Sequence, residues 1–291
     1  MKTKLKTLWR LLEKYFKQLL TPDQDGQEPE HPDTPGTPVT PDQEPEPQLK
    51  LKAWDECTKS SNWHANASQR MMNILSPKMP DSTFKERVKF INGRGCNCVN
   101  LFLCNKADGE YGGYCIYGQS FDWSIDKDYS TKMLDRIKTL YNQGLGIVLW
   151  LTADDSNDWN SKLISNPTRY VNDLDSLGFF KWASTVVIGL EADEYWKSPS
   201  QISSMYKAVK AKYTGKVGVH QKSGEYGYMN LVDLAFVQLK PGTSTDKIKS
   251  FVKTVKSKTG KPVCMFELER SEDRSRCNAA FEAGAYSVGN W

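Results

Sequence analysis

The stretch from Thr185 to Tyr195 reads TVVIGLEADEY, a β-branched run that stops abruptly in carboxylates. Val186, Val187, Ile188, Gly189 and Leu190 include nothing polar and are too few for a helix, so they predict a strand buried on both faces. Glu191, Asp193 and Glu194 follow at once. An α/β barrel keeps its chemistry at the C-terminal ends of such strands, because the loops there converge on one mouth.

Seven further strands are expected on either side: Leu49 to Trp54, Val99 to Cys104, Gly146 to Leu151, Lys216 to His220, Leu234 to Leu239, Val263 to Leu268 and Ala285 to Gly289. Helical patterns run over Thr131 to Gln143, Thr168 to Leu177, Gln201 to Tyr213, Thr245 to Lys258 and Ser275 to Glu282, with Gly144, Gly178, Gly215, Gly260 and Gly284 as stops. The helix between the fifth and sixth strands is poorly defined around Gly224 to Leu231. Eight β-then-α units over about 240 residues predict a (β/α)8 TIM barrel across residues 49–291. An open doubly wound sheet fits less well, since no glycine-rich phosphate loop follows the first strand.

Ahead of the barrel lie two segments of opposite charge. Within the formal net charge of +4, residues 1–20 carry six Lys/Arg and one Glu, and residues 21–48 carry eight Asp/Glu and no Lys/Arg. Leu5, Leu8, Trp9, Leu12, Tyr15, Phe16, Leu19 and Leu20 fall at helical spacing against lysines, predicting a basic amphipathic helix. The lysines interrupt every apolar run, so neither a transmembrane span nor a secretory signal peptide is expected, and synthesis in the cytoplasm follows. Such a helix suits docking into a protein assembly or lying on an anionic membrane surface. Residues 21–48 hold eight of the fourteen prolines and predict an acidic, extended spacer.

Composition also narrows the chemistry. From Leu49 onward the chain is only mildly basic and has no Lys/Arg run, so a nucleic-acid partner is not expected. The histidines are His31, His64 and His220, and no Gly-x-Ser-x-Gly elbow occurs, which disfavours a Ser-His-Asp hydrolase. Seven cysteines cannot all pair with one another. Cys96, Cys98, Cys104 and Cys115 lack the usual Cys-x-x-Cys spacing of a zinc site and read as buried thiols, so no metal or cofactor is expected.

The expected strand ends mix carboxylates, amides and aromatics: Trp54 and Asp55, Asn105, Trp150 and Asp154, Glu191 and Asp193, His220, Gln238, Glu267 and Glu269, and Trp291. Polar groups beside flat apolar rings suit a sugar, whose hydroxyls hydrogen-bond while its faces stack. Trp150 also reads as a core residue and His220 as a structural histidine, and Glu267 and Glu269 admit ion pairs with Arg270 or Arg274.

In this layout the chain resembles the clan-A barrel glycoside hydrolases. The resemblance rests on Glu191 at the end of the fourth strand, Glu267 in KPVCMFELE on the seventh, and Trp291 after the eighth. It implies a glycosidase with Glu191 as acid/base and Glu267 as nucleophile, with Glu269, of the same strand parity, in reserve. Leu190 departs from the clan, which has Asn immediately before the acid/base. A basic helix and acidic spacer ahead of a sugar-directed barrel also resemble phage particle proteins that bind or cut a host's surface glycan, which implies virion association. The alternative keeps the barrel and drops the reaction, leaving a glycan- or receptor-binding protein.

Overall fold

A computed structural model describes residues 64–65, 73–106, 110–153, 157–196, 198–222, 226–240, 242–269 and 274–290. The chain divides into two units, Met1–Glu46 and Pro47–Trp291, and every described residue belongs to the second. The helix expected over residues 1–20 and the spacer over 21–48 lie outside the described residues.

Eight parallel strands close into a barrel in sequence order. They are β1 (His64–Ala65), β2 (Cys98–Phe102), β3 (Gly146–Trp150), β4 (Thr185–Val187), β5 (Val217–Gln221), β6 (Leu234–Val237), β7 (Val263–Glu269) and β8 (Ser287–Asn290). Around them run α1 (Asp81–Gly93), α2 (Lys127–Asn142), α3 (Asn157–Ser165), α4 (Pro167–Ser176), α5 (Ala192–Tyr195), α6 (Pro199–Lys210), α7 (Thr245–Thr259) and α8 (Ser275–Glu282). The expected (β/α)8 barrel is therefore the fold. Between β5 and β6 the only helical turn among the described residues is the short 3-10 segment Met229–Leu231.

The stretch Leu49 to Trp54, where the first strand was expected, lies outside the described residues. β1 is His64–Ala65, which pairs with Cys98 and Val99 on one side and with Gly289 and Asn290 on the other. Two residues are too few for any periodicity to mark. The helix α1 was also not among the expected helices, although Gly95, left-handed at φ +65° just past the C-cap Arg94, marks its end.

Strand parity divides the interior in two. Val99, Leu101, Ile147, Leu149, Val186, Ile188, Val217, Val219, Ala235, Val263 and Met265 pack outward among the helices. Cys98, Phe102, Val148, Trp150, Val187, Leu234, Phe236, Cys264 and Phe266 fill the lumen. The Phe236 ring enters over Gly218, where a Cβ would lie 2.6 Å from its ring carbons. Local signals set the helix ends: the Asp126 side chain accepts the Tyr129 amide at 3.0 Å to start α2, and Gly260 ends α7 with φ +65°.

Candidate active site

After β4, residues 188–190 climb to the mouth with no room to spare. A Cβ on Gly189 would lie 2.7 Å from Thr152 Oγ1 and 2.8 Å from Trp196 Nε1, so only glycine fits this approach. The chain then turns at Glu191, which adopts the left-handed conformation with φ 45° and ψ 48°. A non-glycine residue held there costs of order 1–3 kcal/mol and persists only when its surroundings over-determine it. Here they do. The Glu191 amide donates to His220 Nδ1 at 2.9 Å, and its carbonyl accepts the Glu194 and Tyr195 amides at 2.9 and 3.2 Å, starting α5.

That turn presents the Glu191 carboxylate at the mouth while leaving the side chain only 12% exposed. Oε1 accepts from Gln238 Nε2 at 2.9 Å, and Oε2 pairs with Lys222 Nζ at 3.4 Å. The same ammonium reaches Glu194 Oε1 at 3.1 Å, and the Lys222 backbone amide donates to Asp193 Oδ1 at 2.9 Å. Its hydrogen bond to Glu194, joined by the charge of Glu191, holds the Lys222 ammonium above its ordinary pKa. Three successive strand ends, β4, β5 and β6, thus converge on one carboxylate.

Behind Glu191, His220 is fully buried, with Trp150 and Phe266 ring centroids 6.1 and 5.4 Å away. Burial holds its pKa down to about 3; the charge of Asp193 opposes this and that of Lys222 adds to it. The imidazole is therefore neutral, and because Nδ1 accepts from Glu191, its proton sits on Nε2. His220 Nε2, Trp196 Nε1 and Gln238 Oε1 are buried without a hydrogen-bond partner among the described residues.

Of the residues singled out in the sequence, Glu191, Asp193, His220 and Gln238 come together here. Trp150 does not offer a sugar platform. It is fully buried in the lumen against Phe266 at 4.5 Å and Phe236 at 5.4 Å, and its indole N–H donates to Asn100 Oδ1 at 2.9 Å. Asn105 is likewise buried: its amide donates to Asn73 Oδ1 at 2.7 Å and its backbone bridges to Tyr114. It braces the chain beyond β2 and is not presented to a ligand. Trp54, Asp55, Asp154 and Trp291 lie outside the described residues, as do the side chains of Glu267 and Glu269.

The backbone of β7 bears on that last pair. Its register against β8 shifts between Met265 and Glu269, and Phe266 joins the lumen while Leu268 joins the outer layer. Lys222 was the participant that sequence reasoning missed. A lysine past a strand end reads as solvated, although HQK places it two residues beyond His220 and thus on the same face. Among the described residues no group of three or more His, Cys, Asp or Glu side chains is gathered for a metal ion.

No protein-family model matches the chain, and no curated protein is similar to it in sequence. Solved structures are similar in fold. A β-1,4-mannanase of glycoside hydrolase family 113 superposes with TM-score 0.55 at 13% identity, covering 79% of this chain and 86% of that one. An endo-1,4-β-mannanase from Rhizomucor miehei gives 0.55 at 13% identity over 79% and 85% of the two chains. A family 5 glycoside hydrolase from Bacteroides vulgatus gives 0.56 at 14% identity over 79% and 57%. At such identities the likeness establishes the (β/α)8 barrel as the architecture this chain shares with those glycoside hydrolases.

Proposed function

We propose that the chain is a glycoside hydrolase acting on a surface or cell-wall polysaccharide through two carboxylates, with Glu191 as acid/base and Glu267 as nucleophile. One observation carries the reading: a strained, left-handed backbone fixes a nearly buried glutamate at the barrel mouth, with groups from three strand ends trained on it. Strain of this kind is retained where function requires a side chain in one place. The names of the fold neighbours, mannanases and a family 5 glycoside hydrolase, support the same class.

At rest, Lys222 and Gln238 favour the ionised carboxylate of Glu191. Lys222 has a second partner in Glu194, so it can swing aside when a sugar enters. Glu191 is then buried without its cation, the condition that favours a protonated carboxyl able to donate to the glycosidic oxygen. In a retaining reaction Glu267 attacks the anomeric carbon with the carboxyls about 5–5.5 Å apart; inversion through a water needs about 6.5–9.5 Å. Residues 1–20 would hold the enzyme to a larger assembly such as a virion, a role supported by their basic amphipathic pattern and the spacer behind them.

A specific observation favours a second reading. Glu191 is already occupied by Lys222 and Gln238, and Leu190 packs into the lumen where the clan has Asn, as suits a mouth that binds glycan without cutting it. A glycan panel separates the two. Release of reducing ends by the wild type, reduced about 10²–10⁴-fold in both Glu191→Gln and Glu267→Gln, supports hydrolysis. Saturable binding with no release by the wild type overturns it.

A further inference from the structure

Beyond β2 the chain doubles back on itself. Asn105 and Tyr114 form an antiparallel bridge and exchange both backbone hydrogen bonds, each at 3.0 Å. They are an isolated hydrogen-bonded pair, and Cys104 and Cys115 flank it on the two segments, where an antiparallel ladder would place a non-hydrogen-bonded pair. Such pairs hold their Cα atoms about 4.5 Å apart, within the roughly 4.4–6.8 Å that a disulfide spans, and both side chains point to one face. Both cysteines are fully buried in the same layer. The other described cysteines flank no such bridge, and Cys96, just before β2, is only half-buried. Cys98 faces the lumen and donates to Asn97 Oδ1, Cys264 lies on β7 and Cys277 on α8.

We infer that Cys104 and Cys115 are a disulfide-forming pair, joined by exchange with a small-molecule disulfide of the glutathione type when the bridge opens locally. One thiolate attacks the glutathione disulfide and releases a first glutathione thiol. The second thiolate then attacks the resulting mixed disulfide and releases another. One S–S bond forms and one breaks; two cysteine sulfurs are oxidised, glutathione takes up the two electrons, and the two thiol protons pass to the leaving thiols. The bond would close the segment from which Lys106 pairs with Asp158 of α3, stapling the β2–β3 side of the mouth while leaving the β4–β6 cluster untouched. Burial, reinforced by the hydrogen bond to Cys115, pushes the Cys104 thiol up, which makes exchange slow in the closed state.

The test uses the full-length chain and needs no substrate. The protein is equilibrated across ratios of oxidised to reduced glutathione, quenched by alkylation, unfolded, alkylated with a second label and digested. The expected result is a peptide pair joined through Cys104 and Cys115 at oxidising ratios, lighter by two hydrogen atoms and reversed by reductant. Its formation should raise the melting temperature by roughly 5–10 °C. Cys115→Ser should abolish both the joined peptide and the redox dependence of the melt. Recovery of both residues as alkylated thiols at every ratio, or joining of either to another cysteine instead, overturns the inference.

Discussion

On β5 and β6 the inward positions change character within one step. Gly218 and Phe236 sit among lumen rings, whereas His220 and Gln238 hold the backbone and the carboxylate of Glu191. Each level depends on a glycine for close approach: Gly218 admits the Phe236 ring, and Gly189 admits Trp196 beside Thr152. The lower level is apolar and closed, so its arrangement yields stability. The upper level accepts a strained residue and buried polar atoms without partners, so its arrangement sacrifices stability to fix one carboxylate.

The contrast breaks most visibly at two residues. Trp150→Ala removes the largest lumen side chain and its bond to Asn100, and should destabilise the barrel by about 3–5 kcal/mol in urea unfolding. Glu191→Gln keeps the fold within about 1 kcal/mol of wild type in the same measurement and instead loses activity, as the glycan panel reads. An equal stability loss in both would erase the distinction between the two levels.

Glycine substitutions sharpen the comparison at a smaller scale. Gly218→Ala drives a methyl into the Phe236 ring and should cost about 1–3 kcal/mol. Gly189→Ala meets polar atoms that also frame Glu191, so it should lower glycan turnover or binding by more than the melting temperature implies.

His220 sets a pH dependence. Its pKa is about 3 in the fold against 6.5 ordinarily, so between those values the unfolded chain binds the proton and the native one does not. Stability is therefore complete above pH 6.5 and declines on acidification, with a slope approaching about 1.4 kcal/mol per pH unit from this residue. Urea titrations at pH 5, 6 and 7 should give a shallower slope for His220→Gln than for wild type. Parallel slopes would mean that the imidazole is not the group being titrated.

The smallest effect is expected at Lys222, whose side chain is 46% exposed. Lys222→Met should shift stability by less than about 1 kcal/mol, because solvent screens the pair. If hydrolysis is established, the alkaline limb of its pH profile should move to higher pH, since Glu191 loses the cation that favours its ionised form and keeps its proton to higher pH.

The barrel was legible from TVVIGL and its counterparts because a strand covered on both faces cannot alternate, and a short apolar run shows this directly. β1 was not legible, being too short to carry a pattern. For the site, Glu191 was marked by its place after a buried strand. Its left-handed backbone was not, since that follows from His220 and Thr152 arriving from other segments. Of the two readings of Trp150, core and platform, the core one holds; parity alone aims it inward, whereas its level along the barrel axis, which separates the two, depends on the register between strands. The register shift in β7 is likewise invisible in KPVCMFELE, where every residue suits an unbroken strand.

β1 has a mechanical consequence. It closes the ring through two residue pairs on each side, fewer than any other described strand except at the β4–β5 contact. Tension carried along the chain from the residues before position 64 would reach the barrel at this seam, loading its shortest rungs first. Among the described residues the β4–β5 contact, with two pairs of its own, is equally short.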